Sequence, residues 1–206
     1  MNPLIAQLSK TVGTLRACRV VELGGISGLV SARHLETIDS LTVVEPSTDI
    51  ISKIIEEYSP ESPPFEIRQS ALIELAFINI DSVDTCISTY GSITSNDSER
   101  FFRQVKRILK DSGTFCFAVP HPLIATRALE LLPRDYRYFD TQIIESKALK
   151  LGFDAPARLI TKPLTRTFYE VRRAGMAIEN IEEIVTSVDP TRSNVPDFTL
   201  IKARKI

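Results

Sequence analysis

The chain predicts one α/β domain built on a mostly parallel, doubly wound sheet. Three observations predict it. Short apolar runs alternate with helical patterns across residues 19–119. A glycine-rich turn, Gly24-Gly25-Ile26-Ser27-Gly28, follows the first of those runs directly. Two late runs, 178–186 and 198–204, are separated by a loop containing Pro and Asn, the usual pattern of an antiparallel pair.

Each element follows from its spacing. Leu4, Ile5, Leu8, Val12 and Leu15 recur at helical intervals, so residues 1–18 hold a leading helix. Residues 19–23 read as a buried strand, 29–38 as the first crossover helix, and 41–45 as a second strand. Ser47 or Thr48 can cap the next helix, whose Ile50, Ile51, Ile54, Ile55 and Tyr58 form an apolar face until the Pro-rich 59–64 stops it. Residues 65–68 and 83–88 read as strands three and four, with a short segment around 72–77 between them. Ser98 or Asn96 opens a helix with Phe101, Phe102, Val105, Ile108 and Leu109 inward, and Gly113 is expected to end it before strand five at 114–119. Residues 122–164 break the rhythm with one helix, 123–132, and a mixed aromatic stretch. A helix at 166–174 with Gly175 after it restores the pattern.

Composition excludes several function classes. A net charge of −1 gives no general drive toward nucleic acid or anionic membrane, and 25 % charged with 43 % hydrophobic residues is ordinary for a globular domain. The basic residues Arg100, Arg103, Lys106, Arg107 and Lys110 are expected on a solvated helix face. No apolar stretch reaches the roughly 20 residues of a membrane helix, and a signal-peptide pattern is absent, so a cytoplasmic protein is expected. Cys18, Cys86 and Cys116 have no metal-ligand spacing, and the chain has only His34 and His121 as histidines; no metal site is expected.

The glycine turn sets the ligand class. A strand, a glycine turn, a second strand and a closing acid form a cradle for a nucleoside, with the acid accepting from a ribose diol. The dinucleotide spacing G-x-G-x-x-G is not met, because Leu29 and Val30 stand where its last glycine would fall. Val20-Val21-Glu22-Leu23-Gly24-Gly25-Ile26-Ser27-Gly28 instead resembles the first motif of class I S-adenosylmethionine-dependent methyltransferases, with Ile26 in place of a central glycine. The resemblance continues in Phe101-Phe102-Arg103-Gln104-Val105-Lys106-Arg107-Ile108-Leu109-Lys110, in Arg166-Thr167-Phe168-Tyr169 with Ala174-Gly175-Met176, and in the final run 198–205. It implies a Rossmann-like seven-stranded sheet in order 3-2-1-4-5-7-6, strand seven antiparallel, over one domain at 1–206 with a lid insertion at 122–164.

The resemblance also implies roles. Gly24, Gly25 and Gly28 would admit the methionine part of S-adenosylmethionine, Glu22 would orient the turn and reach the ammonium, and Glu45 would hold the ribose. Pro46 would line the adenine. Ser70, Ala71 and Leu72 stand where the adenine edge is met, Ser70 replacing the customary acid. The backbone around Ser88-Thr89-Tyr90 would receive the ammonium, and Tyr90 would face the sulfonium. His121, after strand five, is the candidate general base. The lid, with Tyr136, Tyr138, Phe139, Phe153 and Arg134, Arg137, Arg158, is expected to bind a small-molecule acceptor or to form a homodimer contact, with Arg166 and Tyr169 at its floor. The expected activity is methyl transfer to an O, N or C nucleophile of a specialised metabolite, leaving S-adenosylhomocysteine. The alternatives are a fold relative that has lost transfer and serves as a binding subunit, or one that catalyses a rearrangement without methylation.

Overall fold

A computed structural model describes residues 3–25, 29–58, 65–89, 97–128, 137–145, 158–186 and 195–206. The strands are β1 (Arg19–Leu23), β2 (Ser40–Val44), β3 (Phe65–Arg68), β4 (Val83–Ser88), β5 (Leu109–Pro120), β6 (Gln142–Glu145), β7 (Arg158–Thr161), β8 (Met176–Ile184) and β9 (Phe198–Lys205). The α-helices are α1 (Pro3–Val12), α2 (Thr48–Glu57), α3 (Ser98–Ile108), α4 (Ile124–Ala128) and α5 (Leu164–Arg173). Seven strands form one sheet in order β3-β2-β1-β4-β5-β9-β8. Strands β1 to β5 pair in parallel, while β9 is antiparallel to both neighbours, as the late pair of apolar runs predicts.

Alternation along each strand sends successive side chains to opposite faces. Val20, Leu41, Val43 and Ile87 pack on one face with Leu4, Leu8 and Val12 of α1 and Ile54 of α2. Val21, Val44, Cys86 and Phe117 pack on the other with Phe101 and Phe102 of α3 and Val171 of α5. The second face holds an aromatic cluster, in which Phe115 and Phe117 stack at 4.5 Å and Phe101 meets Phe115 edge-on at 5.9 Å. Cys86 and Cys116 are buried, and Cys18 is partly exposed.

Several expectations are corrected. Residues 29–38 are not an α-helix: a four-residue 3₁₀ turn, Ser31–His34, replaces it. Val30, Thr37 and Ile38 are β-branched and resist helix, and Thr37 donates its hydroxyl to the Leu15 carbonyl while Ala17 N–H donates to Thr37 O. Ser47, of the two capping candidates, caps α2 by accepting from Ile50 N–H at 3.4 Å, but Ile55 of the expected apolar face is exposed.

Gly113 does not end α3. The chain leaves the helix at Leu109 and enters β5 at once, so Gly113 lies inside the strand. A Cβ there would stand 2.9 Å from Lys110 O and 3.2 Å from Asp84 O, where the β4–β5 register shifts. Glycine is needed for that backbone approach. Ser98 does begin α3, but its hydroxyl makes no cap, and Asn96 lies outside the described residues. Helix α5 starts at Leu164, two residues earlier than expected, and Gly175 follows it at φ +88°.

Two features were not anticipated. The insertion contains an antiparallel hairpin, β6 with β7, anchored by the buried Ile144 and Leu159. The crossover from β3 to β4 carries turns and no helix, so Thr42, Glu66 and Arg68 on that sheet corner line an open groove of about 640 Å³ beside Phe77 and Ile78.

Candidate cofactor site

In the order β3-β2-β1-β4-β5, the crossovers reverse direction between β1 and β4, and ligands of such sheets bind beyond the strand ends at that point. Gly24, Glu45, Leu72 and Thr89 come together there. Gly24 ends β1 at φ +84°, a conformation that costs an L-residue about 1–2 kcal/mol. Its N–H donates to Val44 O at 2.9 Å, tying the turn to the end of β2. A Cβ on Gly24 would stand 3.9 Å from both Leu72 Cδ1 and Thr89 Oγ1. The glycine thus faces a residue from each flanking loop.

Glu45 follows β2 and is 3 % exposed. Its Oε2 accepts from Gly25 N–H at 2.9 Å, and its Oε1 accepts from Ser47 N–H at 2.8 Å. A carboxylate has about four acceptor positions, so two backbone donors fix its plane and leave lone pairs for two hydroxyls. This fits the nucleoside cradle expected from the sequence: an acceptor-only group, held rigidly, at the mouth of a glycine turn.

Glu22 orients the turn, as expected, but from beneath it. It is fully buried, and its carboxylate accepts from Val30 N–H at 2.6 Å, Ser31 N–H at 3.0 Å and Ser31 O–H at 2.5 Å. It therefore shapes the turn from beneath and presents no atom at the surface for an ammonium. Burial pushes its pKa up to about 7, against the opposing pull of the Ser31 hydroxyl and the two amides.

The adenine-side expectations are met unevenly. Leu72 reaches the glycine turn. Pro46 is exposed and its carbonyl accepts from Gln69 Nε2 at 3.3 Å, while Ala71 is exposed. Ser70 turns its hydroxyl toward the carbonyls of Ala71 and Glu74 at 3.4 and 3.2 Å, within its own turn. Ser88 is buried and donates toward Leu23 O at 3.1 Å and Thr89 O at 2.8 Å, stitching β4 to β1. Gly28 and Tyr90 lie outside the described residues, as do Tyr136, Phe153 and Arg134 of the insertion.

His121 is not poised as a base. Its Nδ1 accepts from Leu123 N–H at 3.1 Å, which assigns the ring proton to Nε2, 2.9 Å from Glu183 Oε1. The lone pair that would take a substrate proton is already used. Burial lowers its pKa, with Glu183 opposing. Among the described residues, Arg166 and Tyr169, expected at the lid's floor, make their contacts within α5 and toward α3. Arg166 Nε donates to Glu170 at 2.7 Å, and the half-exposed Tyr169 ring lies between Arg166 and Arg173 at 6.0 and 5.9 Å.

Thr89, whose backbone was expected with those of Ser88 and Tyr90 near the ammonium, also brings its side chain to the glycine turn and is 1 % exposed. Nothing in the sequence signalled that side-chain role. Among the described residues, no group of three or more His, Cys, Asp or Glu could hold a metal ion, and no helix is long and apolar enough to cross a membrane.

Residues 21–117 match the family model of a methyltransferase domain. No curated protein matches the chain. Among solved structures, a candidate S-adenosylmethionine-dependent methyltransferase from Listeria monocytogenes superposes with TM-score 0.78 and 19 % identity, covering 98 % of this chain and 96 % of that one. An S-adenosylmethionine-dependent methyltransferase from Mesorhizobium loti gives 0.75 and 20 %, over 97 % and 96 %. The 1,6-didemethyltoxoflavin N1-methyltransferase of Burkholderia thailandensis, solved with its substrate and S-adenosylhomocysteine, gives 0.65 and 13 %, over 98 % and 76 %.

Proposed function

We propose that this chain is a class I S-adenosylmethionine-dependent methyltransferase, a reading supported by the methyltransferase-domain match over residues 21–117 and by the fold, and that it methylates an O or N nucleophile of a small molecule. The observation that carries the reading is Glu45. Its buried carboxylate is oriented by Gly25 and Ser47 beside a glycine at positive φ, at the sheet's switch point. When bound, S-adenosylmethionine supplies an electrophilic methyl on a sulfonium.

This chain's residues bind and orient. Glu45 accepts from the ribose hydroxyls, and these bonds to a charged acceptor are stronger than neutral ones. Gly24 lets the backbone approach the methionine portion, with Thr89 and Leu72 closing its sides. Glu22 holds the start of the 3₁₀ turn through Val30 and Ser31. No described residue offers a free base beside this turn, and for an acceptor that is already nucleophilic, alignment and exclusion of water supply most of the acceleration.

The acceptor reading rests on the insertion. Phe139 is 82 % exposed and Ile143 60 % exposed on and beside the hairpin, an apolar surface for a small acceptor or a second copy. The Burkholderia enzyme, solved with 1,6-didemethyltoxoflavin, supports the small-molecule reading by analogy of fold.

Calorimetry with S-adenosylmethionine and S-adenosylhomocysteine tests the reading. Saturable binding of both, followed by methyl transfer to members of a small-molecule panel, is the expected result. Absence of binding at millimolar ligand overturns it. Binding without transfer to any acceptor favours the binding subunit.

A further inference from the structure

A buried polar cluster lies away from the glycine turn and has no part in the chemistry above. Lys162, just past β7, donates its ammonium to Ser98 Oγ at 2.8 Å and to Glu170 Oε2. Ser98 donates in turn to Glu170 Oε2 at 2.9 Å, and Arg166 Nε occupies Glu170 Oε1 at 2.7 Å. The side chains of Lys162 and Glu170 are 13 % and 3 % exposed.

Each member comes from a different part of the fold. Ser98 is the first residue of α3, the helix entered after the loop that follows β4. Lys162 closes the inserted hairpin. Glu170 lies within α5, which packs with α3 against the Phe101–Phe117 face. A buried ion pair adds little net stability over apolar residues of the same size, yet it tolerates only one arrangement of its partners. Ile144 and Leu159 of the hairpin are buried apolar anchors, whose contacts carry no direction.

We propose that Ser98, Lys162 and Glu170 are positioning residues that fix the register of the inserted hairpin against α3 and α5, and through Ser98 make the hairpin respond to cofactor occupancy. The second half of that statement rests on the methyltransferase reading; the first does not. Burial lowers the Lys162 pKa, but Glu170 limits the fall; burial pushes Glu170 upward, and the bonds from Lys162, Arg166 and Ser98 reverse that.

Hydrogen exchange on the full chain, with and without S-adenosylhomocysteine, tests the joint. The variants are Lys162→Met/Glu170→Gln, Ser98→Ala and Ser98→Thr. Amides of Gln142–Glu145 and Arg158–Thr161 should exchange at least about tenfold faster in the double variant and in Ser98→Ala, while α3 and α5 keep their protection. Ser98→Thr, which keeps the hydroxyl, should restore wild-type rates. Added S-adenosylhomocysteine should slow hairpin exchange in the wild type and leave it unchanged in the double variant.

Unchanged ligand-free hairpin rates in both disrupting variants overturn the positioning role, whatever the ligand does. A uniform rise across the whole sheet overturns it too, since that marks general destabilisation. A hairpin response to ligand that survives in the double variant overturns the coupling. Failure of the wild type to bind S-adenosylhomocysteine contradicts the methyltransferase reading, and with it the coupling, while the ligand-free rates still decide the positioning role.

Discussion

The glycine turn and the inserted hairpin are held by different kinds of contact. Around Gly24 the two acids are satisfied mainly by backbone amides, the farthest 20 positions away, with the Ser31 hydroxyl added on Glu22. Glu22 takes Val30 and Ser31, and Glu45 takes Gly25 and Ser47. At the hairpin the ordering bonds join side chains far apart, Lys162 to Ser98 across 64 positions and Ser98 to Glu170 across 72. A site made of backbone geometry is rigid by construction. A site made of side-chain pairs can be released by one substitution.

The largest expected effect tests the rigid side. Glu45→Ala should weaken S-adenosylhomocysteine binding about 10- to 150-fold, since charge-assisted bonds contribute about 1.5–3 kcal/mol; calorimetry measures it. An affinity within threefold of wild type would remove Glu45 from the ribose site.

Next comes the pH dependence of Glu22. Its folded pKa, about 7, lies above the usual carboxylate value, so the folded state holds a proton that the unfolded state releases. Stability is fully present below about pH 4.5 and is lost as pH rises toward 7, by about 2–3 kcal/mol. Denaturant unfolding of wild type and Glu22→Gln across pH 4–8 should show that difference, and parallel curves would contradict it.

Gly24→Ala should cost about 1–2 kcal/mol of stability through its positive φ alone, because the 3.9 Å neighbours leave space for the methyl. A loss well above that range would mean that space, not conformation, decides this position. The smallest effect on binding belongs to His121→Ala. It should leave S-adenosylhomocysteine affinity unchanged and shift the melting temperature by a few degrees through loss of the Leu123 and Glu183 bonds. An altered pH profile of transfer would restore His121 to catalysis.

The same contrast explains what could be read beforehand. Strands β1 and β4 were legible to the residue because their buried apolar runs end sharply. Strand β3, half exposed with Phe65 and Ile67 alternating with Glu66 and Arg68, was legible because the Pro-rich 59–64 marks its start. Glu45 was legible because its place depends on one strand and one turn. The 3₁₀ turn was not, since long-range bonds from Thr37 to Leu15 overrode an apolar pattern that looked helical. Gly113 was misplaced because its reason is Asp84 O on a neighbouring strand. Ser98 read as a cap, but its partners lie in α5 and beyond β7. His121 drew attention by its position at a strand end, and only the bond from Leu123 N–H revealed that its lone pair was taken.

The helix-free crossover between β3 and β4 has a consequence for how the chain assembles. To place β4 beside β1, residues 69–82 must span the sheet without the local contacts that a helix forms early, so the loop entropy is met only when β1 and β4 dock. Strand β3 gains little meanwhile, because its sole described strand partner is β2 and Glu66 and Arg68 face the groove. The sheet should therefore close last, and open first, at its β3 edge, while the aromatic layer under β4 and β5 is already in place.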